Sequence, residues 1–367
     1  MYKNDGGKIK YSLIIPIYNG ARFISGIRKI IDTLPAYRDI IEVLLVDDGS
    51  TDESLVLCQR IAQSFPFVKV ISKTHTGISE TRNTGILQAR GTWILFSDQD
   101  DYLDAGGLVR FLEQQNSFDL LVFSFQQGDG LKSYDGRNLS ANMFELHGTS
   151  SELQEFLLEH YKEFAGSVWN KVYRRDFIEK YRICFLKESE IGNEDILFNL
   201  MYLCHCRKIQ FSCNVFYYYL IHGLSASHKK ENRFEIIKRF CKGTYIFERY
   251  ISENNIELPE FLFYFWIKQI LLSERSYEAA FDKKIEDMVS YFLNNKEILN
   301  ICLNAKEYGK KFFEIQEFYS EEECSVLCDL RESILLQNTK VMEEKLISLL
   351  KRKSKGREVW ALSMVVL

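Results

Sequence analysis

Short apolar runs punctuate the first part of the chain, and between them the apolar positions recur at helical spacing. Tyr11-Ser-Leu-Ile-Ile-Pro16 is an apolar run closed by a turn, and Ile41–Val46, Val68–Ile71 and Thr92–Phe96 repeat the pattern. Runs this short, apolar on both sides of the pleat, predict strands buried on both faces. Between them, Phe23, Ile24, Ile27, Ile30, Ile31 and Leu34 share one helical face, and Ile78–Ala89 predicts another helix. Ser50 or Thr51 is placed to cap a helix reaching about Phe65. A βαβαβαβ order predicts a mostly parallel sheet flanked by helices. Ligands gather at the carboxyl ends of such strands, where the polar clusters Asp47-Asp48-Gly49-Ser50-Thr51-Asp52 and Asp98-Gln99-Asp100-Asp101 fall.

Farther along, the period becomes helical, with amphipathic stretches at Phe234–Ile251, Phe261–Ser273 and Val341–Leu350. A basic, polar run at Lys229–Arg233 marks the change. The chain is therefore expected to divide into an α/β domain over residues 1–230, with halves at about 10–105 and 106–230, and a mainly α-helical C-terminal extension over 231–367. Phe261-Leu-Phe-Tyr-Phe-Trp-Ile267 is apolar nearly all round, which predicts a helical core or the seam of a homo-oligomer. No internal repeat is evident.

Composition narrows the function classes. A chain that is 46% hydrophobic and 27% charged is globular, and a net charge of −4 gives no general reason to bind nucleic acid. Met1–Lys10 is polar, Tyr11–Ile17 is too short for a secretory signal's apolar core, and no stretch approaches a membrane span; a cytoplasmic location is expected. The nine Cys then imply free thiols. Cys204, Cys206 and Cys213 beside His205 fit no common zinc spacing and alternate as on a strand, which predicts buried thiols. At the end, the basic run Lys351–Arg357 precedes the apolar Val359–Leu367. It reads either as a peripheral anchor at the inner face of a membrane or as a docked terminal segment with a solvated basic turn.

The two acidic clusters end neighbouring strands and should face one cleft. Hard cations such as Mn²⁺ or Mg²⁺ favour carboxylate oxygen and commonly bridge to substrate phosphates through one or two protein ligands. Asp is also common in turns and caps. Packing like charges together nevertheless calls for a cation or hydrogen-bond donors.

These residues also carry a resemblance. Ser12-Leu-Ile-Ile-Pro-Ile-Tyr18-Asn19, Val46-Asp-Asp-Gly-Ser-Thr-Asp52, Gly77-Ile-Ser-Glu-Thr-Arg82-Asn83-Thr-Gly85 and Phe96-Ser-Asp-Gln-Asp-Asp-Tyr102 resemble the ordered signature of family 2 inverting glycosyltransferases. Val168–Arg175 and Asn193–Phe198 are similar to acceptor-side segments of members that build bacterial polysaccharides, and Tyr217-Tyr-Tyr219 with Ser225 resembles the segment that closes their catalytic domain. The resemblance spans roughly residues 10–225 and implies the GT-A fold, a nucleotide-diphospho-sugar transferase domain with a mostly parallel sheet. It implies a UDP-sugar donor, a glycan or lipid-linked saccharide acceptor, and a divalent cation. Position by position, Pro16 and Tyr18 would flank the nucleobase, and Asp48 would accept from its edge. Asp98 would bind ribose or share the metal, Asp100 would coordinate the metal, and Arg82 would lie near the diphosphate.

Asn193 can cap a helix whose first turn holds Glu194 and Asp195. From the residues alone, these acids either complement the helix dipole or supply a general base. The resemblance favours Asp195 as the base, with Glu194 second. Lys171 is a candidate contact for acceptor or phosphate, against a packing role beside Trp169. His222 is a candidate metal or acceptor contact, and His75 lies near the expected nucleotide cleft, although a lone His is more often an ordinary surface residue. Two rival classes stand beside the transferase. A nucleotidyltransferase would be expected to carry a Gly-rich basic loop after its first strand, where this chain has Pro16-Ile-Tyr-Asn-Gly-Ala. A catalytically inactive sugar-binding or scaffold protein would not need Asp48, Asp98, Asp100 and Asp195 together.

Overall fold

The computed structural model describes residues 9–258 apart from 116, 129–132 and 222–232, together with 261, 262 and 265. His222, the tail at 351–367, Val341–Leu350 and most of Phe261–Ser273 lie outside the described residues. The chain groups into two compact units. The first comprises residues 1–148, 162–188 and 194–228, and the second comprises 149–161, 189–193 and 229–367.

The first unit is built on a ten-stranded sheet. In chain order its elements are β1 (Tyr11–Ile17), α1 (Ile24–Asp32), β2 (Ile41–Asp47), α2 (Ser54–Ser64), β3 (Val68–Ser72), α3 (Ile78–Gln88), β4 (Trp93–Phe96), β5 (Tyr102–Leu103), α4 (Ala105–Leu112), β6 (Leu120–Gly128), β7 (Ser133–Arg137) and β8 (Asn142–Glu145). After α5 (Ser150–Phe164) come β9 (Lys171–Arg174), α6 (Arg175–Lys180), α7 (Glu188–Ile191), α8 (Glu194–Leu203), β10 (Lys208–Leu220) and α9 (Arg233–Glu253). The strand order is β3-β2-β1-β4-β9-β6-β10-β5, with β7 on β6 and β8 on β10. From β3 to β4 all pairings are parallel. β9 then runs antiparallel to both β4 and β6. The second half is therefore mixed, and the predicted parallel pattern holds for the first.

The apolar runs explain this arrangement. All seven positions of β1 and all seven of β2 are buried, as strands covered on both faces require. Pro16, which cannot donate to a ladder, is tolerated in a central strand because β1 pairs with β4 only as far as Ile14, two residues earlier. Glu42 is a charged residue inside this core, yet its carboxylate is fully engaged. It accepts from Ser12 Oγ (2.8 Å), from Arg90 N (2.6 Å) and Nε (2.9 Å), and from Lys69 Nζ (3.1 Å), tying the starts of β1, β2 and β4 together. In α3, Gly85 lies so close to β1 that a Cβ there would stand 2.4 Å from Ile14 Cγ2.

Two local expectations are corrected. α2 begins at Ser54, so neither Ser50 nor Thr51 caps it. Ser50 Oγ instead accepts from Asn19 N (3.0 Å), and Thr51 N donates to Asn19 Oδ1 (2.8 Å). Asp52 receives Ala21 N and Ser54 N, both at 3.0 Å. The segment between β2 and α2 is thus spent on the turn after β1. Cys204 and Cys206 are buried, as expected of thiols, but they follow the end of α8 and are not strand residues; Cys213, on β10, is exposed.

In the second unit, α9 covers the predicted Phe234–Ile251 helix. Phe247, Phe261 and Phe265 are buried there, with ring centroids about 6 Å apart, and Tyr161 packs against the latter two. The described part of the 261–267 run is therefore core.

Candidate active site

Because β1, β2 and β4 are parallel, their carboxyl ends deliver Tyr18, Asp48 and Asp98 to one edge of the sheet. Tyr18 leaves β1 with 41% of its surface exposed, and its ring stacks on His75 with centroids 4.1 Å apart and planes 17° from parallel. Pro16 is buried within β1 opposite Val46 and offers no surface to a base; it shapes the strand end that presents Tyr18.

Asp48 is buried and heavily engaged. Oδ1 accepts from Thr76 N (3.0 Å) and from the Lys73 ammonium, while Oδ2 accepts from Gly77 N (2.9 Å) and lies 2.8 Å from His75 Nδ1. Burial alone would raise this carboxyl, but Lys73 and the two backbone N–H groups outweigh it and hold its pKa below the ordinary value. Asp48 therefore organises the 73–77 loop. Gly49 fits under that loop in the left-handed region (φ 72°), where a Cβ would stand 2.8 Å from His75 N. Lys73 went unremarked in the sequence, where a single lysine after a strand carries no signal.

The turn after β4 is held from two sides. The Gln99 amide pairs with the Tyr18 backbone in both directions, accepting from N (3.1 Å) and donating to O (3.2 Å). On the other side Asp98 N donates to Tyr217 Oη (3.2 Å), which donates to Asp101 Oδ2 (2.7 Å); Asp101 Oδ1 accepts from Leu220 N (2.8 Å). Burial, reinforced by the Asp98 charge, pushes the Asp101 carboxyl up to about 8. Asp101 is thus a strut to β10, leaving Asp98 and Asp100 as the acids of this cluster that keep open surface.

Arg82 joins the two halves of the first unit. Its side chain, on α3, is 4% exposed. Nη2 donates to Asp98 Oδ1 (3.1 Å) and Nη1 to Asp195 Oδ1 (2.5 Å), with Glu194 Oε1 3.6 Å away. Burial disfavours the guanidinium charge, but Asp195, Asp98 and Glu194 hold it protonated. Its guanidinium also lies over the Phe185 ring at 5.2 Å. The neighbouring Asn83 pairs with the Phe185 backbone in both directions, at 2.8 and 2.9 Å, and Phe185 stacks on Phe198 of α8 at 4.0 Å. α3 thereby sets the position of the α8 N-terminus that carries Glu194 and Asp195. Asn83, Phe185 and Phe198 were not singled out from the sequence, although Asn83 directly follows Arg82 in one recognised motif and Phe198 closes another.

Lys171 lies in the interior. It is buried at the start of β9, donating to Ser167 O and to Asn170 Oδ1 (2.8 Å), so it closes the 167–171 turn. That is the packing alternative to a contact with acceptor or phosphate.

The acids suit a divalent cation. Burial and the Asp100 charge push the Asp98 carboxyl up despite Arg82. One guanidinium faces three carboxylates, with Asp100 adding a fourth acid nearby. Among the described residues no group of three or more His, Cys, Asp or Glu is placed to hold a metal ion. An open site of one or two carboxylates completed by phosphate oxygens matches that donor set.

Comparison with known proteins finds relatives for this chain. The family model described as "Glycosyl transferase family 2" matches residues 12–182. The chain is 35% identical over 195 residues to a protein of Bacillus subtilis named uncharacterized glycosyltransferase EpsJ, across 52% of this chain and 54% of that one. It thus spans about half the length of that curated relative. It is 24% identical over 328 residues to the cholesterol galactosyltransferase of Borreliella burgdorferi, across 84% and 90% of the two chains. Among solved structures, residues 1–349 of Staphylococcus aureus TarS in complex with UDP-GlcNAc superpose with a TM-score of 0.65 at 16% identity, covering 94% of this chain and 92% of that one. That likeness establishes the GT-A fold. Among the described residues no helix is long and apolar enough to cross a membrane.

Proposed function

We propose that the chain, whose residues 12–182 match the glycosyl transferase family 2 model, transfers a sugar, with inversion, from a UDP-sugar to a hydroxyl of a glycan or lipid-linked saccharide. The observation that carries this reading is the Arg82 bridge, which sets a strand-end acid, Asp98, and an acceptor-side acid, Asp195, on one guanidinium. Such an arrangement suits a reaction in which a donor diphosphate and an acceptor hydroxyl meet at a single carbon. The UDP-GlcNAc complex of TarS, a protein of the same fold, supports the choice of nucleotide.

In this reading Tyr18 stacks on the nucleobase and Asp98 meets the ribose. Asp98 and Asp100 would hold Mn²⁺ or Mg²⁺, which when bound supplies positive charge against the leaving diphosphate. Arg82, held charged, adds to that field from a buried position where it is weakly screened. Asp195 accepts the proton of the acceptor hydroxyl as its oxygen attacks the anomeric carbon, on the face opposite the departing diphosphate. The C–O bond to the diphosphate breaks with its electron pair leaving on UDP. The donor diphosphate must compete with Asp195 for Arg82, so the guanidinium keeps Asp195 oriented until the donor arrives.

The test is incubation of the purified chain with a panel of nucleotide sugars, with and without Mn²⁺, and detection of released UDP and glycosylated acceptor. Release from one UDP-sugar that requires the metal is the expected result. No turnover of any nucleotide sugar, with nucleotidyl transfer from a triphosphate instead, would overturn the proposal.

A further inference from the structure

His75 touches both features assigned to the nucleobase. Its ring lies on the Tyr18 face at 4.1 Å, and the same ring places Nδ1 2.8 Å from Asp48 Oδ2. A uracil bound as proposed would make those two contacts itself, stacking on Tyr18 and donating an N–H to Asp48. We propose that the His75 imidazole occupies the nucleobase subsite in the free protein and swings out when UDP binds. The inference rests on the reading of Tyr18 and Asp48 as that subsite.

The hydrogen-bond inventory of Asp48 gives a reason for displacement. A carboxylate offers about four lone-pair sites. Lys73 Nζ and Thr76 N donate to Oδ1 and Gly77 N to Oδ2, while His75 Nδ1, hydrogen-bonded to the Asp48 backbone O at 3.3 Å, also covers Oδ2 at 2.8 Å. A base N–H can reach Oδ2 only if the group covering it moves aside. Thr76 and Gly77 donate from the backbone, and Lys73 has only 18% of its side chain exposed and also reaches Thr74 O and Thr76 Oγ1. The His75 side chain is 53% exposed, which makes it the donor released most readily.

The geometry also confines the movement to the side chain. The backbone at His75 packs on Gly49, and Thr76 and Gly77 are pinned to Asp48 through their N–H groups. The loop can therefore keep its shape while χ1 of His75 turns the ring into solvent. Asp48 and Tyr18 then keep their positions, preorganised for the base.

Calorimetric titration of the full chain with UDP and Mg²⁺, and separately with inorganic pyrophosphate and Mg²⁺, tests this. Removing the competing ring in His75→Ala should tighten UDP binding by roughly threefold to tenfold, the worth of a lost aromatic contact. Pyrophosphate, which has no base, should bind as it does to the wild type. His75→Gln keeps an N–H donor without the ring and should show a smaller gain. Weaker or unchanged UDP binding by His75→Ala, or an equal gain for pyrophosphate, would overturn the inference. The companion variant Tyr18→Ala separates the two levels. Weakened UDP binding there, with no effect of His75→Ala, removes the placeholder and leaves the subsite standing. Wild-type affinity in Tyr18→Ala removes the subsite and the placeholder with it.

Discussion

Arg82 Nη1 stands 2.5 Å from Asp195 Oδ1, joining residues 113 positions apart on α3 and α8. The same guanidinium holds Asp98 at 3.1 Å. Because it is buried and surrounded by acids, its charge is both costly and well compensated, and its planar fork reaches two elements at once. A rigid cation between two acids is a means of fixing their separation before any ligand is present.

If Asp195 is the base, Asp195→Asn keeps the size of the side chain and loses the proton acceptor. Transfer should fall by roughly 10² to 10⁴-fold, the usual worth of general-base catalysis. UDP affinity should survive. Steady-state transfer assays beside UDP titrations check this. Loss of transfer in Glu194→Gln with Asp195→Asn still active would move the role to Glu194.

Arg82→Lys retains the charge but not the fork. An ammonium can satisfy Asp98 or Asp195 but not both in the observed geometry, so kcat should drop by about tenfold or more while the melting temperature changes little. Full transfer activity in Arg82→Lys would show that the bridge only neutralises charge.

Asp100→Ala and Asp48→Ala should differ in kind. Asp100→Ala should lose the Mn²⁺-dependent part of UDP binding, because the diphosphate charge then faces Asp98 with a weakened cation site. Asp48→Ala should weaken UDP binding with and without metal, since it also releases Lys73 and the 73–77 loop. Titrations of UDP with and without Mn²⁺ decide this. Identical metal dependence in both variants would sink the assignment.

Glu42 provides a stability test remote from the chemistry. Its burial would raise the carboxyl, but Arg90 N, Ser12, the Arg90 guanidinium and Lys69 hold it below the ordinary carboxylate value. A depressed carboxyl contributes stability above its unfolded value and loses it as the pH falls through the lower folded value. Glu42→Gln should cost about 1–3 kcal/mol at pH 7, the worth of hydrogen bonds to a buried charge. The difference from wild type should shrink below about pH 4.5 as Glu42 is protonated. Thermal melts at pH 7 and pH 3 measure it, and an equal deficit at both values would refute the assignment.

The sequence by itself determined the nucleotide half of the fold. The apolar runs of β1 to β4 are local features whose burial on both faces is written in consecutive residues, and the polar clusters ending them follow directly. That placed Tyr18, Asp48 and Asp98 at one edge. Tertiary structure alone decided what those residues touch. β9 enters antiparallel between β4 and β6, a choice that no period of four residues, Lys171–Arg174, can express, and it takes the Lys171 ammonium into the interior. The convergence of Arg82 with Asp195, of Asp48 with Lys73 and His75, and of Tyr217 with Asp98 and Asp101 depends on strand order and on which lone pairs remain open. Periodicity records which face of an element is apolar, whereas ion pairs between distant elements are set only once those elements have packed.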